Sequence, residues 1–236
     1  MAYRKEDVMR KFTISSEITY IFAIVLMACA VSMTAAADFG VSMIVAPAYM
    51  VHLKIGFLSF GQCEYILQAI LFLLFCLLLK KVKVIYFVSF GTCLLYGAIL
   101  DGWRILIPLF NLTVTQPGSM SMWLRILLLL GGMVLTSLSV ALLFRVYLHP
   151  QVYDFFVKGI SAHFGLDRTK FKIGFDALCL ILSVILSLIF FGKLNGIGVG
   201  TVIMTFCNGP LIDLLGKILD QYMLFTPIFP DFAKKI

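Results

Sequence analysis

Long apolar segments separated by short polar connections make up most of this 236-residue chain. Each of six segments holds about 20 residues with few charges, which as a helix is long enough to cross about 30 Å of hydrocarbon. Their Leu-rich runs do not alternate with a period of two, so the pattern is not that of a transmembrane barrel. It predicts six transmembrane helices at residues 18–36, 63–79, 84–110, 124–143, 173–191 and 197–215, the last continuing toward residue 223.

Two weaker apolar segments, residues 41–53 and 151–164, are shorter. A segment of about 13 residues is short for a membrane span and suits a re-entrant or interfacial helix. The predicted fold class is therefore an all-α membrane protein with six transmembrane helices plus two short re-entrant or interfacial helices.

The two halves of the chain align with each other at one constant offset without a gap. Each half then consists of a long helix, a short segment and two long helices. The polar exceptions inside apolar segments coincide, since Ser42 aligns with Asp154, Glu64 with Asp176 and Asp101 with Asp213. The alignment divides the chain into an N-terminal segment (1–16), a first repeat (17–110), an external linker (111–122), a second repeat (123–223) and a C-terminal tail (224–236).

Composition and charge placement bear on the topology of these repeats. Only 13% of the residues are charged and 61% are apolar, whereas about 25% of a soluble domain is charged. The net charge of +7 comes from basic residues that flank apolar segments, which topology explains without a nucleic-acid partner. If the short segments do not cross the membrane, 15 of the 19 basic residues lie on the same side of the membrane as the N-terminus. If they cross, the basic cluster at 80–83 moves outside, so the charges favour two inverted three-span repeats with both termini cytoplasmic.

Ionisable side chains inside a bilayer are costly and usually face a cavity or a partner. The candidates for substrate or ion binding are Asp154, Asp176 and Asp213 in the second half and their counterparts Ser42, Glu64 and Asp101 in the first. Asn208 joins them because residues 207–210 are expected to break the last helix, and transporters use broken helices at their binding sites. Two alternatives stay open. Glu64 and Asp176 could serve as acids at helix starts that reach headgroup water, and the break could be a packing kink.

The residue patterns do not indicate an enzyme. No nucleophile motif places a base beside a serine or cysteine, and the histidines and cysteines lack metal-ligand spacing. Residues 196–201 are glycine-rich but follow no strand, so they predict close helix packing rather than a nucleotide loop. We therefore expect no catalytic activity, no cofactor and no metal.

The second half resembles the bacterial YczE/YitT-like membrane proteins. The resemblance covers roughly residues 123–220 and rests on the aromatic–Asp pair Tyr153-Asp154, on residues 159–161 and 164–166, on the Gly-rich residues 196–201 and on residues 209–213. The first half departs from the pattern, because Ser42 takes the place of the Asp. The family is largely uncharacterised; the resemblance implies a multi-pass protein of the bacterial cytoplasmic (inner) membrane, for which transport is the common suggestion.

The leading functional hypothesis is a small-solute or ion transporter whose site lies between the two repeats. In it, Asp154 and Asp213 bind a cation, a proton or a cationic substrate group, Asp176 supports them, and Asn208 donates or accepts a hydrogen bond. The alternative is a non-transporting accessory or regulatory subunit of a larger complex. The expected partners are the lipid bilayer and a small cationic or proton-coupled solute; the substrate and the oligomeric state stay open.

Overall fold

The computed structural model describes residues 12–80, 86–111, 119–148 and 151–230. Several basic residues used to predict topology therefore lie outside the described residues, namely Arg4, Lys5, Arg10, Lys11, Lys81, Lys83, Lys234 and Lys235.

The described residues form eight α-helices and one pair of short strands. The helices are α1 (Ser16–Ala37), α2 (Ala46–Ile55), α3 (Phe60–Leu79), α4 (Tyr86–Leu106), α5 (Met122–Leu143), α6 (Val152–Phe164), α7 (Arg168–Phe191) and α8 (Val199–Tyr222), and the strands are β1 (Phe12–Ser15) and β2 (Met223–Thr226). Five helices, α1, α3, α5, α7 and α8, are long and apolar enough to cross a membrane. Helix α4 has 21 residues but is not among these five, and it carries Asp101 and Arg104.

Polar caps set where the long helices begin. The Ser59 hydroxyl accepts a hydrogen bond from the Gln62 backbone N–H, and the Gln62 side chain accepts one from the Ser59 N–H. Such a capping box satisfies two backbone donors that the helix leaves free. Side chains at the same position cap the starts of three other long helices, at Ser15, Ser121 and Asp167.

The last helix is not interrupted, so the predicted break at residues 207–210 is wrong. Helix α8 runs without a gap from Val199 to Tyr222 and contains Pro210 in its interior. Proline removes one backbone donor and crowds the preceding turn. One lost bond leaves the remaining bonds of a 24-residue helix in place, so the helix continues past Pro210.

The constant offset between the two halves holds for only part of the chain. The alignment that pairs Ser42 with Asp154 also pairs Leu79 with Phe191, and these two residues do end α3 and α7. It pairs the start of α1 at Ser16 with residue 128, however, whereas α5 begins earlier, at Met122. Helix α6 begins early relative to α2 in the same way. Hydropathy does not show this shift, because apolar runs have diffuse ends and the caps decide where each helix begins.

The shift separates two residues that the alignment treated as equivalent. Ser42 precedes the start of α2 at Ala46. Asp154 lies in the first turn of α6, which begins at Val152. The two residues therefore lie at different positions relative to the starts of their short helices.

Side-chain bonds identify the two ends of the bundle around the central pair α1 and α5. At the first end, the start of α1 meets the segment after α5, where the Tyr147 hydroxyl donates to Glu17 over 2.7 Å. There β1, just before α1, also pairs in parallel with β2, just after α8. At the second end, Arg125 at the start of α5 donates from Nε to the Ala37 carbonyl at the end of α1 over 2.9 Å.

Each short helix packs against a long helix of the other half. Helix α2 contacts α7, and the Lys54 ammonium donates to the Phe190 carbonyl over 3.2 Å. Helix α6 contacts α3, and the ring centroids of Phe75 and Phe155 lie 4.8 Å apart. More than half of the residues of α2 and α6 are buried, whereas the last turn of each helix is largely exposed.

The Gly-rich residues before α8 allow a close backbone approach. A Cβ on Gly198 would lie 2.6 Å from the Phe39 carbonyl oxygen, and one on Gly200 would lie 2.9 Å from the same atom. The Gly200 N–H donates to that oxygen over 2.7 Å. The close packing predicted for this segment therefore joins the start of α8 to the connection between α1 and α2.

Candidate functional site

A cavity of about 90 Å³ with a mainly apolar wall lies between the two halves and is called the central cavity below. A cavity needs roughly 10–15 Å³ to hold one water, so there is room for several waters or a small solute. The polar residues of its lining come from both halves: Thr34, Ser42 and Tyr96 from the first, and Thr136, Gln151, Tyr153 and Asp154 from the second.

Two of the predicted site residues, Ser42 and Asp154, line this cavity together. A third, Asp176, is connected to Asp154 through one cation. The Lys172 ammonium lies 3.7 Å from Asp154 Oδ1 and 3.3 Å from Asp176 Oδ1. All three side chains are part-buried. Lys172 thus neutralises one of two neighbouring carboxylates at the edge of the cavity.

Glu64 lies behind the cavity wall and is fully buried, as is Gln68. Its Oε2 accepts a hydrogen bond from the Tyr153 hydroxyl over 3.2 Å and one from the Gln68 amide over 3.4 Å. Gln68 in turn accepts from the Val152 backbone N–H over 3.2 Å. A tyrosine hydroxyl keeps its proton at neutral pH, so Tyr153 is the donor of its bond. The helix-start alternative required Glu64 to reach headgroup water. A fully buried side chain does not, so this alternative does not hold for Glu64.

Three other predicted residues do not line the cavity. Asp101 accepts from the Gly61 N–H over 2.9 Å and from the Ser59 hydroxyl, which ties it to the start of α3. Asp213 lines a separate open pocket of about 390 Å³ at the first end, beside the Arg145–Asp220 ion pair. The remaining residue is Asn208, whose buried Oδ1 has no hydrogen-bond partner among the described groups.

Residues 14–217 match the model of a family of unknown function, DUF6198. The chain belongs to this family. The match includes both halves and therefore extends beyond residues 123–220, on which the expected YczE/YitT-like resemblance rested. No curated protein and no solved structure matches the chain.

Sequence reasoning on this DUF6198 chain missed the side chains that bond to the candidate acids. Gln68 lies one helical turn after Glu64, and this i, i+4 spacing in an apolar helix is a readable signal for a polar pair. Lys172 has the same spacing from Asp176. Tyr153 has no such signal, because only the packing of α6 against α3 brings its hydroxyl to Glu64.

A second buried polar cluster centres on Arg104, which is only 7% exposed. Arg104 Nη1 donates to His52 Nε2 over 3.0 Å, and His52 Nδ1 donates to the Leu58 carbonyl over 2.7 Å. An imidazole that accepts at one nitrogen and donates at the other is the neutral form, so His52 is uncharged in this arrangement. The cluster joins α4 to α2 and to the chain that follows it.

Proposed function

We propose that this protein is a multi-pass membrane transporter that binds a small cation at Asp154 in the central cavity. The observation that carries the proposal is a cavity lined by both halves of an apolar helix bundle, with a carboxylate among the few polar groups of its wall. Ionisable groups at membrane depth usually mark ion or proton pathways. Transporters built from repeats bind their substrates at the repeat interface.

The order of the helices supports two repeats, each with a long helix, a short helix and two long helices. The crossed packing of α2 on α7 and of α6 on α3 is what two related halves facing each other would produce. At 1.5 Å per residue, α2 and α6 reach about 15 Å and 20 Å, well short of a bilayer. Their burial fits re-entrant helices, which must be enclosed by protein at membrane depth.

An even number of crossings supports six spans and an inverted second repeat. Parallel pairing of β1 with β2 holds the start of α1 and the end of α8 at the same end of the bundle. Five crossings would leave them at opposite ends, so we propose that α4 is the sixth span. Each repeat then has three spans, and an odd number inverts the second.

Basic residues support a cytoplasmic first end. Arg145 and Lys217 line the pocket there, and the basic N-terminal residues 4–11 directly precede β1. Cytoplasmic segments near membrane spans carry an excess of Lys and Arg. We propose that both termini face the cytoplasm of a bacterial cell.

Topology is tested by single cysteines introduced at positions 81 and 193, in a background without the native cysteines. A membrane-impermeant thiol reagent is applied to right-side-out and inside-out vesicles. Labelling of the two positions from opposite faces is expected. Labelling of both from one face would exclude the inverted arrangement.

Lys172 suggests how a cation could enter and leave. Its ammonium already occupies one side of the Asp154 carboxylate, so an incoming cation can take its place while Lys172 stays with Asp176. Such an exchange leaves no carboxylate unpaired, which keeps the cost of burial low. Opening of the cavity toward either end by movement of one half against the other would complete a transport cycle.

Transport is tested by uptake of rubidium and of methylammonium into proteoliposomes. We expect wild-type uptake above that of protein-free liposomes and at least a tenfold loss in Asp154→Asn. The amide removes the negative charge that attracts either cation, and for methylammonium a hydrogen bond to a charged group is worth about 1.5–3 kcal/mol. The matched control is Asp167→Asn, since Asp167 caps α7 at an exposed site and Asn caps equally well. Uptake in Asp154→Asn equal to wild type would refute the site. No wild-type uptake of either cation, with a stoichiometric co-purifying protein, would favour the accessory-subunit alternative.

A further inference from the structure

We propose that Glu64 is a proton-binding site coupled to the central cavity through Tyr153, so that one cation is exchanged for one proton. The inference rests on the proposed function and names its coupling ion. Its basis is a fully buried carboxyl group that is separated from the cavity by a single side chain.

The polar groups described around Glu64 are amide, hydroxyl and thiol groups, which are uncharged at neutral pH. Gln68 and Tyr153 donate hydrogen bonds to it. Five titratable groups on four helices interact electrostatically with Glu64. They are Cys63 on α3, Cys93 and Tyr96 on α4, Tyr153 on α6 and Cys179 on α7. Among the described residues, no Lys, Arg or His nitrogen lies within 4.0 Å of its carboxylate.

An ionised Glu64 would therefore be a buried charge without a counter-ion. Such a charge is far more costly than a neutral acid in the same place, and a group so placed takes up a proton instead. Both described donors bind Oε2, while Oε1 has no partner among the described groups. Two donors on one oxygen cannot replace the water that an ionised carboxylate would lose. Glu64 thus carries a proton in this conformation.

Tyr153 is the barrier between this proton and the cavity. It lines the cavity, and its hydroxyl bonds to Glu64. It also immediately precedes Asp154, so a shift of the first turn of α6 moves both residues together. When the Tyr153 hydroxyl leaves Glu64, cavity water can reach the carboxyl group. The proton then leaves to that water, and the positive charge of the cation bound at Asp154 replaces that of the departing proton.

This exchange conserves charge: one cation enters the region, one proton leaves it, and no other bond is made or broken. The reverse steps reload Glu64 from the other side of the membrane. Loss of the Glu64 proton and binding of the cation are therefore linked, and each promotes the other.

The proposal is tested first on purified full-length protein by infrared difference spectroscopy at neutral pH. We expect rubidium or methylammonium binding to remove the C=O band of a protonated carboxylic acid. Glu64→Gln should lack that band before and after cation addition, whereas the Asp167→Asn control should keep the wild-type signal. Absence of the band in wild type, or a band that cation leaves unchanged, would overturn the proposal.

Proteoliposomes with an internal pH indicator supply the second arm. We expect about one proton to move outward per cation taken up by the wild type, and cation accumulation driven by a pH gradient to fall at least tenfold in Glu64→Gln. Tyr153→Phe keeps the ring and removes the hydroxyl. The pH dependence of cation uptake by this variant should therefore be shifted relative to that of the wild type. This variant tests the coupling even if Glu64→Gln does not fold.

The two arms separate the failure of this inference from that of transport itself. Wild-type cation uptake without proton movement would refute the role of Glu64 and leave Asp154 as the cation site. Absence of uptake under every gradient would refute the transporter, and the coupling with it.

Discussion

Substitution of Gly61 by alanine should destabilise the pair of helices that carries Glu64. Gly61 lies in the first turn of α3, where that helix crosses α4, and an added Cβ would lie 2.0 Å from the Gly97 carbonyl oxygen and 2.7 Å from Asp101 Oδ2. Ordinary contact begins at 3.4 Å, so the two backbones would have to move apart. Overpacking typically costs about 1–3 kcal/mol. The obstacle here is backbone, and the Gly61 hydrogen bond to Asp101 is also at risk, so we expect about 3 kcal/mol, the upper end of that range.

For a chain of this size, each kcal/mol lowers Tm by about 2–4 °C, which predicts a loss of about 6–12 °C in detergent. Thermal unfolding followed by tryptophan fluorescence measures it. Gly91→Ala on α4 is the control, because a Cβ there meets nothing within 4 Å and alanine favours a helix over glycine by about 0.5–1 kcal/mol. Its Tm should stay the same or rise by up to about 4 °C. Equal Tm changes in the two variants would refute the close approach of α3 and α4.

Two further substitutions test the polar clusters. Lys172→Gln should raise the affinity of the Asp154 site for rubidium about 1.4- to fivefold in an equilibrium binding assay, because a part-exposed ion pair is worth about 0.2–1 kcal/mol. Weaker binding would mean that Lys172 supports the site. His52→Leu should cost about 1–3 kcal/mol, since it leaves buried donors of Arg104 without an acceptor. The double variant His52→Leu/Arg104→Leu should regain most of the stability that His52→Leu loses, measured as Tm. Additive losses of the two single variants would contradict the pairing.

Hydropathy alone predicted the helical class and the approximate place of every helix, because a membrane span needs a continuous apolar run. An acid in such a run is easily seen, which made Asp154 a candidate, and the alignment of the two halves added Ser42. The sequence could not show that α2 packs on α7 and α6 on α3, because these contacts join segments that are far apart along the chain. Tyr153 was missed for this reason.

The alignment of the two halves shows a second limit of the sequence. Coinciding polar residues suggested that Ser42 and Asp154 are equivalent, yet α5 and α6 begin earlier than the alignment with α1 and α2 requires. The two residues share the cavity through different positions, one before α2 and one inside α6. The predicted break at Pro210 was also wrong. The tendency of proline to interrupt helices does not show how many backbone hydrogen bonds the rest of α8 retains.

Access of solute to the central cavity is tested most directly at Ser42. Ser42→Cys is made without the native cysteines and treated with a membrane-impermeant thiol reagent from each face. Ser139→Cys serves as the unreactive control, because Ser139 is fully buried on α5. We predict that Ser42→Cys is labelled from at least one face and that rubidium or methylammonium slows the labelling several-fold. No labelling from either face, or a rate that neither cation changes, would contradict a cation-binding cavity between the two halves.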